Sequence, residues 1–309
     1  MKIFSALAGL FFSGCVIATP LNNLVVFGDS LSDNGNLYEY MKRQLPVSPP
    51  YYSGRFSNGP VWIELVAKNY YPNDTGSHLQ DYAFGGAGVL GEGEDSDDSL
   101  FTLQSEIESY LLAHQDKADE QSLFVVWIGA NNYLAIPDDW EAAIKRVNSG
   151  IKSSLAKLAN KGAKHILVVN LPDLGRTPIA RDFEAIEVLT AYSKRHNAVL
   201  AQEIEHLQSL YPDVQWVYLD VDKILGDVFT EPEKYGFTNI TDTCYEALMD
   251  EPSGQETILR MVSRVKPKIE ADACTGYLFF DPVHPTAPAH QIMAEKAKEI
   301  LARAGIEFK

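Results

Sequence analysis

Apolar positions along this chain of 309 residues follow two different spacings. Short apolar runs, rich in β-branched and aromatic residues, predict five strands at Leu24–Phe27, Asp81–Phe84, Leu123–Ile128, His165–Asn170 and Val214–Leu219. Segments with apolar residues three to four positions apart predict helices at Pro60–Tyr70, Leu103–Ala113, Trp140–Lys161, Phe183–Leu210 and about Ala287–Ala304. Strands and helices therefore alternate through most of the chain.

This alternation predicts an α/β fold built on one doubly wound, mainly parallel sheet of five strands. The run Leu123–Ile128 is apolar on both faces, which is typical of a parallel strand covered by helices on each side. Sites in such sheets lie beyond the carboxyl ends of the strands. Ser30, Gly85-Gly86 and Gly129-Ala130-Asn131 each follow a predicted strand, so we expect them at one edge of the sheet.

Two stretches depart from the repeat. Glu92–Asp98 is acidic and predicts a solvated loop. A segment at about 230–275 shows no clear strand-helix pattern, and we interpret it as an insertion. The two segments of the candidate site described below lie near opposite ends of the chain. A domain boundary between them would place the site at an interface, so we expect residues 19–309 to form a single domain.

Residues 1–18 predict an export signal, with an apolar stretch at Ile3–Ile17 and small residues in Val16-Ile17-Ala18 at the cleavage position. The stretch is short and contains Gly and Ser, which argues against a membrane anchor. An alternative is lipid attachment at Cys15, because Phe12-Ser13-Gly14-Cys15 loosely resembles a lipoprotein processing site. The expected location is therefore outside the cell.

Loss of the signal would remove Cys15 and leave Cys244 and Cys274. Two cysteines in an exported protein predict a disulfide, which would close the insertion. The alternative is a pair of separate buried thiols.

The net charge of −16 argues against nucleic acid as a partner and against tight docking on anionic lipid.

Candidate catalytic groups lie at opposite ends of the chain. Ser30 stands in Phe27-Gly28-Asp29-Ser30-Leu31-Ser32-Asp33, and Asp281 and His284 stand in Asp281-Pro282-Val283-His284. A serine hydroxyl becomes a nucleophile when an imidazole takes its proton and a carboxylate orients the imidazole. Judged alone, Ser30 after a strand is more typical of a helix cap, and the second segment is also consistent with a polar loop before the last helix.

Acyl transfer also needs hydrogen-bond donors where negative charge develops on the carbonyl oxygen. Gly86 offers a backbone N–H at close approach, and Asn131 offers a side-chain amide, with the Ser30 N–H as a further donor. Each segment by itself is also compatible with ordinary turn chemistry.

The four segments in this order resemble the conserved blocks of GDSL lipases in the SGNH-hydrolase superfamily. The resemblance runs from about Leu24 to the C-terminus and implies a three-layer, flavodoxin-like α/β/α fold. It also implies that Ser30 is the nucleophile, Asp281 and His284 complete a triad, and Ser30, Gly86 and Asn131 form the oxyanion hole. Asn132 is a departure, because the third block usually carries Asp at that position.

Within the superfamily, the chain looks most like secreted bacterial lysophospholipases A and glycerophospholipid–cholesterol acyltransferases. That resemblance implies a lysophospholipid or other lipid ester substrate, a sterol as candidate acceptor, and transient contact with membrane surfaces. It also suggests that a protease cuts the loop between the cysteines. Residues 245–273 contain apolar side chains with several Lys and Arg, and we hypothesise that they form a lid.

Two other interpretations stay open: a carbohydrate acetylesterase with the same four blocks, and a non-catalytic surface or adhesion protein with this fold. No phosphate-binding or dinucleotide motif is present in the sequence, and no His spacing suits a metal, so no cofactor is implied. Aromatic residues at Tyr51-Tyr52, Phe56, Trp62 and Tyr70-Tyr71 could line an acyl pocket or belong to the core.

Overall fold

Five parallel strands form the central sheet of the computed structural model, which describes residues 20–89, 101–245 and 274–309. The strands are β1 (Asn23–Gly28), β2 (Leu79–Asp81), β3 (Ser122–Trp127), β4 (His165–Val169) and β5 (Gln215–Leu219). Their order across the sheet is β2-β1-β3-β4-β5, and every neighbouring pair is parallel. The predicted α/β fold with a five-stranded parallel sheet is confirmed.

Helices and a small second sheet complete the described part of the chain. The helices are α1 (Asn36–Tyr40), α2 (Trp62–Tyr70), α3 (Thr75–His78), α4 (Leu103–Ala113), α5 (Asn131–Leu134), α6 (Trp140–Asn160), α7 (Pro178–Asp182), α8 (Ile186–Leu210), α9 (Val221–Thr230) and α10 (Ala287–Arg303). The second sheet pairs β6 (Asn239–Thr243) with β7 (Tyr277–Phe279) in parallel.

The layers follow from alternation along the strands. In β1, Val25 and Phe27 pack into one buried cluster with residues of α4, α6 and α8. Leu24 and Val26 pack into another, with residues of α2 and α10. All six residues of β3 are buried, as the apolar run predicted. Apolar burial on both faces holds the sheet in place and leaves the carboxyl ends of its strands as the site of the polar loops.

Two predicted elements are displaced. β2 lies at Leu79–Asp81 rather than Asp81–Phe84, because the Asp81 carboxylate accepts the N–H of Ala83 and turns the chain. The N–H groups of Tyr82 and Phe84 still donate to β1 carbonyls, so the chain continues beside that strand. The long helix α8 begins at Ile186 rather than at Phe183, since Glu184 has a φ of 54° and separates it from α7.

The region at about 230–275, expected to show no clear strand-helix pattern, contributes one strand that was not predicted, β6, which pairs with β7 just before Asp281. A disulfide joins Cys244 to Cys274, with Cα atoms 5.0 Å apart, as the cysteine count predicted. Such a 30-residue closure stabilises a fold by roughly 3–4 kcal/mol in the chain-entropy estimate.

Several expectations concern residues outside the described ranges. These are the export signal 1–18 with Cys15, the acidic run Glu92–Asp98, and the hypothesised lid, apart from Tyr245 at its start. Among the described helices, none is both long and apolar enough to cross a membrane.

Candidate active site

The turn after β1 carries Ser30. The N–H groups of Ser32 and Asp33 both donate to the carbonyl of Asp29 at 3.0 Å, which curls the chain directly after the strand. Gly28 allows this close packing, because a Cβ there would lie 2.4 Å from the carbonyl oxygen of Trp127. Ser30 is 3% exposed and lies in the wall of a pocket at the carboxyl edge of the sheet.

The loop between β7 and α10 brings a carboxylate and an imidazole to Ser30. Asp281 Oδ1 accepts the backbone N–H groups of Val283 at 2.9 Å and His284 at 2.7 Å, which closes a tight turn. Asp281 Oδ2 lies 2.7 Å from His284 Nδ1, and His284 Nε2 lies 2.8 Å from Ser30 Oγ. The three sequence-predicted residues therefore form one continuous hydrogen-bonded chain.

This geometry fixes the proton positions. With Nδ1–H donating to Asp281, Nε2 is free to accept the Ser30 hydroxyl proton. Burial by itself raises the pKa of Asp281, but the charge and hydrogen bonds of His284 and the N–H of Val283 outweigh burial and hold that pKa below its ordinary value. Asp281 is therefore ionised at neutral pH and able to stabilise a protonated His284.

The predicted oxyanion donors lie on turns at the same edge of the sheet. Gly86 is buried with a φ of 81°, a backbone conformation that favours glycine. Within the described residues, the backbone N–H groups of Ser30 and Gly86 have no hydrogen-bond partner. Asn131 lies in the pocket wall, and its amide donates one hydrogen to the carbonyl of Ala87 at 2.7 Å. The second amide hydrogen remains available to a substrate.

Asn132, which stands where the family block usually has Asp, has a hydrogen-bond partner. Its side-chain oxygen accepts the N–H of Val89 at 2.8 Å. An amide oxygen can make this bond as a carboxylate would, since only an acceptor is required. The departure from the usual block therefore keeps the connection between the loops that follow β2 and β3.

Asp33 connects the nucleophile turn to the glycine turn. Its carboxylate accepts the N–H groups of Gly35 at 2.7 Å, Asn36 at 2.6 Å, Leu37 at 3.2 Å and Gly85 at 2.7 Å. Burial raises the pKa of Asp33 to about 6 despite these bonds. This role of Asp33 was not predicted, although Asp followed by Asn-Gly-Asn is a recognisable turn signal.

Two further buried carboxyl groups lie behind the nucleophile. Burial raises the pKa of Asp29 to about 7, although its carboxylate accepts the N–H of Leu31. Glu106 Oε2 accepts the N–H of Gly28 at 2.8 Å, and burial raises the pKa of Glu106 well above its ordinary value. These groups brace the end of β1. Glu106 was not predicted, because a glutamate within a helix carries no local sign of its buried partner.

The pocket beside Ser30 is lined mainly by apolar side chains. They are Leu31, Trp127, Ala130, Pro172, Leu174, Leu225, Phe229, Leu278, Phe279, Val283, Pro285 and Met293. Asp29, Ser30, Asn131, Asp173 and Thr177 supply its polar part. An apolar wall that meets a polar reaction centre suits a ligand with a hydrocarbon portion and one polar group.

The aromatic residues considered as acyl-pocket candidates lie elsewhere. Tyr51 donates its hydroxyl to Asp281, Phe56 packs on the imidazole of His284 at 5.1 Å between ring centroids, and Trp62 donates to the hydroxyl of Ser32. Tyr71 donates to the carbonyl of Leu21, and Tyr52 is 46% exposed. Of the two alternatives for this set, the core is the one that holds for Tyr51, Phe56, Trp62 and Tyr71, which are buried and do not line the pocket beside Ser30.

Two buried histidines take no part in the hydrogen bonds that join Asp281, His284 and Ser30. His196 and His290 are buried, and burial lowers the pKa of each to about 3, so both are neutral at physiological pH. His196 contacts the hydroxyl of Tyr133, and His290 accepts the N–H of Trp62. Among residues 20–89, 101–245 and 274–309, no group of three or more His, Cys, Asp or Glu side chains could hold a metal ion.

At the carboxyl edge of the parallel sheet, a serine hydroxyl is hydrogen-bonded to an imidazole, which is hydrogen-bonded to a carboxylate. This is the arrangement found in serine hydrolases. The chain belongs to the GDSL-like lipase/acylhydrolase family, whose family model matches residues 24–297. That family membership supports an ester-hydrolysing enzyme.

Two bacterial proteins are similar to this chain in sequence. The chain is 31% identical over 306 residues to a phosphatidylcholine-sterol acyltransferase of Aeromonas hydrophila, covering 89% of each protein. It is 26% identical to a thermolabile hemolysin of Vibrio parahaemolyticus, covering 90% of this chain but 63% of that protein.

Among solved structures, an acetylxylan esterase from Geobacillus stearothermophilus matches with a TM-score of 0.46 and 12% identity, covering 93% and 95% of the two chains. A phospholipase A1 from Streptomyces albidoflavus matches with a TM-score of 0.42 and 12% identity, covering 91% and 99%. Neither of these likenesses bears on the substrate.

Proposed function

We propose that this protein is an exported serine esterase that hydrolyses long-chain acyl esters of lipids, with lysophospholipids as its main substrates. The observation that carries the proposal is the apolar pocket in whose wall Ser30 lies, 2.8 Å from the base His284. Each methylene group buried in such a pocket contributes about 0.8 kcal/mol. The apolar lining therefore supports acyl groups longer than acetyl, and the pocket volume of about 50 Å³ suits the carbons of the chain nearest to the ester.

In the proposed first half-reaction, Ser30 Oγ attacks the ester carbonyl as His284 Nε2 takes the hydroxyl proton. Asp281 stays ionised and stabilises the imidazolium. The carbonyl oxygen becomes an oxyanion, which accepts hydrogen bonds from the N–H groups of Ser30 and Gly86 and from the amide of Asn131. His284 then gives its proton to the leaving alcohol, and an acyl-enzyme remains on Ser30.

In the second half-reaction, an acceptor hydroxyl attacks the acyl-enzyme as His284 takes its proton. His284 then returns the proton to Ser30 Oγ as the bond between Ser30 and the acyl group breaks. Water as acceptor releases a fatty acid, and a sterol as acceptor yields a sterol ester. Support for the second route comes from the similarity to a phosphatidylcholine-sterol acyltransferase. The same residues serve both routes, so the ratio of hydrolysis to acyl transfer depends on which acceptor reaches the acyl-enzyme.

The test is a hydrolysis panel of lysophosphatidylcholine, phosphatidylcholine, acetylated xylan and 4-nitrophenyl esters from acetate to hexadecanoate, with and without cholesterol. We expect kcat/KM to rise about threefold to fourfold per buried methylene until the pocket is filled. Ser30→Ala should lower the rate on the order of 10⁴- to 10⁶-fold while the protein stays folded. Activity limited to acetyl esters would instead identify an acetylesterase.

Ser32→Ala is the matched control. This serine lies two positions from Ser30 on the same turn, but its hydroxyl contacts the indole N–H of Trp62 rather than His284. We expect it to keep its turnover number. Labelling with a fluorophosphonate probe checks the nucleophile directly, because absence of a Ser30 adduct in the wild type would favour a non-catalytic protein with this fold.

Export is part of the proposal and is supported by the signal-like sequence of residues 1–18 and by the Cys244–Cys274 disulfide. Expression of the full chain in a bacterial host, followed by N-terminal sequencing of the extracellular protein, tests it. A mature N-terminus near residue 19 supports export with cleavage. Retention of residues 1–18, or of a lipid on Cys15, contradicts release by cleavage at that position.

A further inference from the structure

The carboxylate of Asp281 has a second side-chain donor besides His284. The hydroxyl of Tyr51 donates to Asp281 Oδ2 at 2.8 Å, the same oxygen that lies 2.7 Å from His284 Nδ1. Tyr51 is 1% exposed, and Asp281 is fully buried. Each oxygen of Asp281 thus accepts two hydrogen bonds, which leaves the carboxylate no freedom to rotate.

The ring of Tyr51 is held by residues that flank the acid and the base. It makes edge contacts with Phe280, at 5.0 Å between centroids, and with Phe56 at 6.2 Å. Phe280 directly precedes Asp281, and Phe56 packs on the imidazole of His284. A fixed ring directs its hydroxyl to one point, so the bond to Asp281 has little entropy to lose.

The segment that carries Tyr51 contacts the Asp–His loop at two more points. Ser57 Oγ donates to the carbonyl of Pro285 at 2.8 Å, and the side-chain oxygen of Asn58 accepts the N–H of Ala287 at 2.8 Å. These bonds set the position of residues 51–58 relative to Asp281 and His284. The Tyr51 hydroxyl is therefore placed by contacts independent of its own hydrogen bond.

Tyr51 is suited to donate throughout the working pH range. Burial, and the negative charge of Asp281, raise the pKa of the Tyr51 phenol well above its ordinary value. A phenol that stays protonated keeps its donor directed at the carboxylate. Since a charged acceptor strengthens a hydrogen bond, this contact counts for more than one between neutral groups.

We propose that Tyr51 is a positioning residue of the site: its hydroxyl holds the Asp281 carboxylate in the orientation that directs His284 at Ser30. The inference rests on the proposed function, since it gives Tyr51 a part in a reaction that begins at Ser30. Tyr51 touches neither the substrate nor the reacting atoms in this role. Its effect passes through Asp281 to the base.

Tyr51→Phe tests this, because it removes the hydroxyl and keeps the ring. We expect kcat and the rate constant for fluorophosphonate labelling of Ser30 to fall together, about 10- to 100-fold, with KM unchanged. The control is Tyr71→Phe, which removes a buried phenol hydroxyl that donates to the carbonyl of Leu21 at 2.9 Å, away from Ser30. This control should keep the wild-type labelling rate.

A double-mutant cycle shows whether the effect runs through the carboxylate. Asp281→Ala alone should slow labelling, and adding Tyr51→Phe to it should slow labelling no further. An equal additional loss in the Asp281→Ala background would mean a general structural role and would overturn the inference. So would wild-type labelling by Tyr51→Phe with its folding confirmed by thermal unfolding.

The outcomes for Tyr51 and for the enzyme itself are separable. If wild-type Ser30 takes up no probe, the proposed function fails and the role of Tyr51 fails with it. If wild-type Ser30 is labelled and Tyr51→Phe labels at the same rate, the esterase proposal stands and only the Tyr51 inference is lost.

Discussion

Asp33 Oδ2 accepts the N–H of Gly85 at 2.7 Å and so joins the turn after β1 to the turn after β2. Ser30 lies on the first turn, and Gly86 lies on the second, next to Gly85. One buried carboxyl group thus sets the distance between the candidate nucleophile and a candidate oxyanion donor. The same group also accepts three N–H groups of its own loop.

Replacing Asp33 should harm both folding and turnover. Asp33→Ala leaves four backbone N–H groups without their acceptor, and we expect a loss of about 3 kcal/mol or more in the free energy of unfolding. Urea unfolding measures it. Asp139→Ala is the control, since Asp139 is an exposed helix cap that accepts one N–H and should cost about 1 kcal/mol. Equal losses in the two variants would contradict the connecting role of Asp33.

Asn131→Ala should lower kcat by roughly 10²- to 10³-fold, because it removes an oxyanion donor. It should also lower stability slightly, since the carbonyl of Ala87 loses its partner. Steady-state kinetics on a 4-nitrophenyl ester separate the effects, with KM expected to change little. Wild-type turnover in the folded variant would remove Asn131 from the oxyanion role.

Asp29 should make the protein less stable as the pH rises through the weakly acidic range. Its pKa is raised from 3.8 to about 7 by burial, so the folded state keeps a proton that the unfolded chain loses. Stability therefore falls between about pH 4 and pH 7 and then levels off, as far as this group contributes. The charge of His284 opposes the rise and that of Asp33 adds to it.

Asp29→Asn tests this pH dependence, because the amide oxygen can still accept the N–H of Leu31. We expect the variant to gain about 2–4 kcal/mol relative to the wild type between pH 4 and pH 8, as measured by urea unfolding. Asp139→Asn, which changes an exposed cap, should follow the wild-type curve. Parallel curves for Asp29→Asn and the wild type would show that Asp29 ionises at its ordinary pH in the folded protein.

Reduction of the disulfide should weaken the region around Asp281. The N–H of Cys244 donates to the carbonyl of Phe279, and that of Tyr245 donates to the carbonyl of Phe280. We expect activity to be lost at a lower urea concentration in the presence of a reductant, by the equivalent of roughly 3–4 kcal/mol. A Cys244→Ala, Cys274→Ala double variant should show the reduced behaviour with or without reductant.

Much of the fold was predictable because its signals are local. Apolar runs such as Leu123–Ile128 define buried parallel strands, and residues that directly follow strands meet at one edge by topology alone. Ser30, Gly86 and Asn131 were therefore expected at one edge of the sheet. The Asp281–His284 loop follows no predicted strand, and only its chemistry and the family resemblance linked it to Ser30, which it contacts. The disulfide followed from the number of cysteines.

The parts that were missed depend on contacts between distant residues. The bond from Tyr51 to Asp281 spans 230 positions, and an isolated tyrosine carries no sign of its partner. β6 was missed because Asn239–Thr243 is short and mostly polar, so it forms a strand only beside β7. Asp33 contacts Gly85 across two loops, which neither spacing nor propensity reveals.

The two cysteines give this protein a covalently closed loop whose ends lie 5.0 Å apart at their Cα atoms. A cut anywhere between them leaves one covalently joined molecule, because the bridge replaces the lost peptide connection. The bridge thereby keeps the segments that carry β6 and β7 covalently connected even when the peptide chain between the cysteines is cleaved.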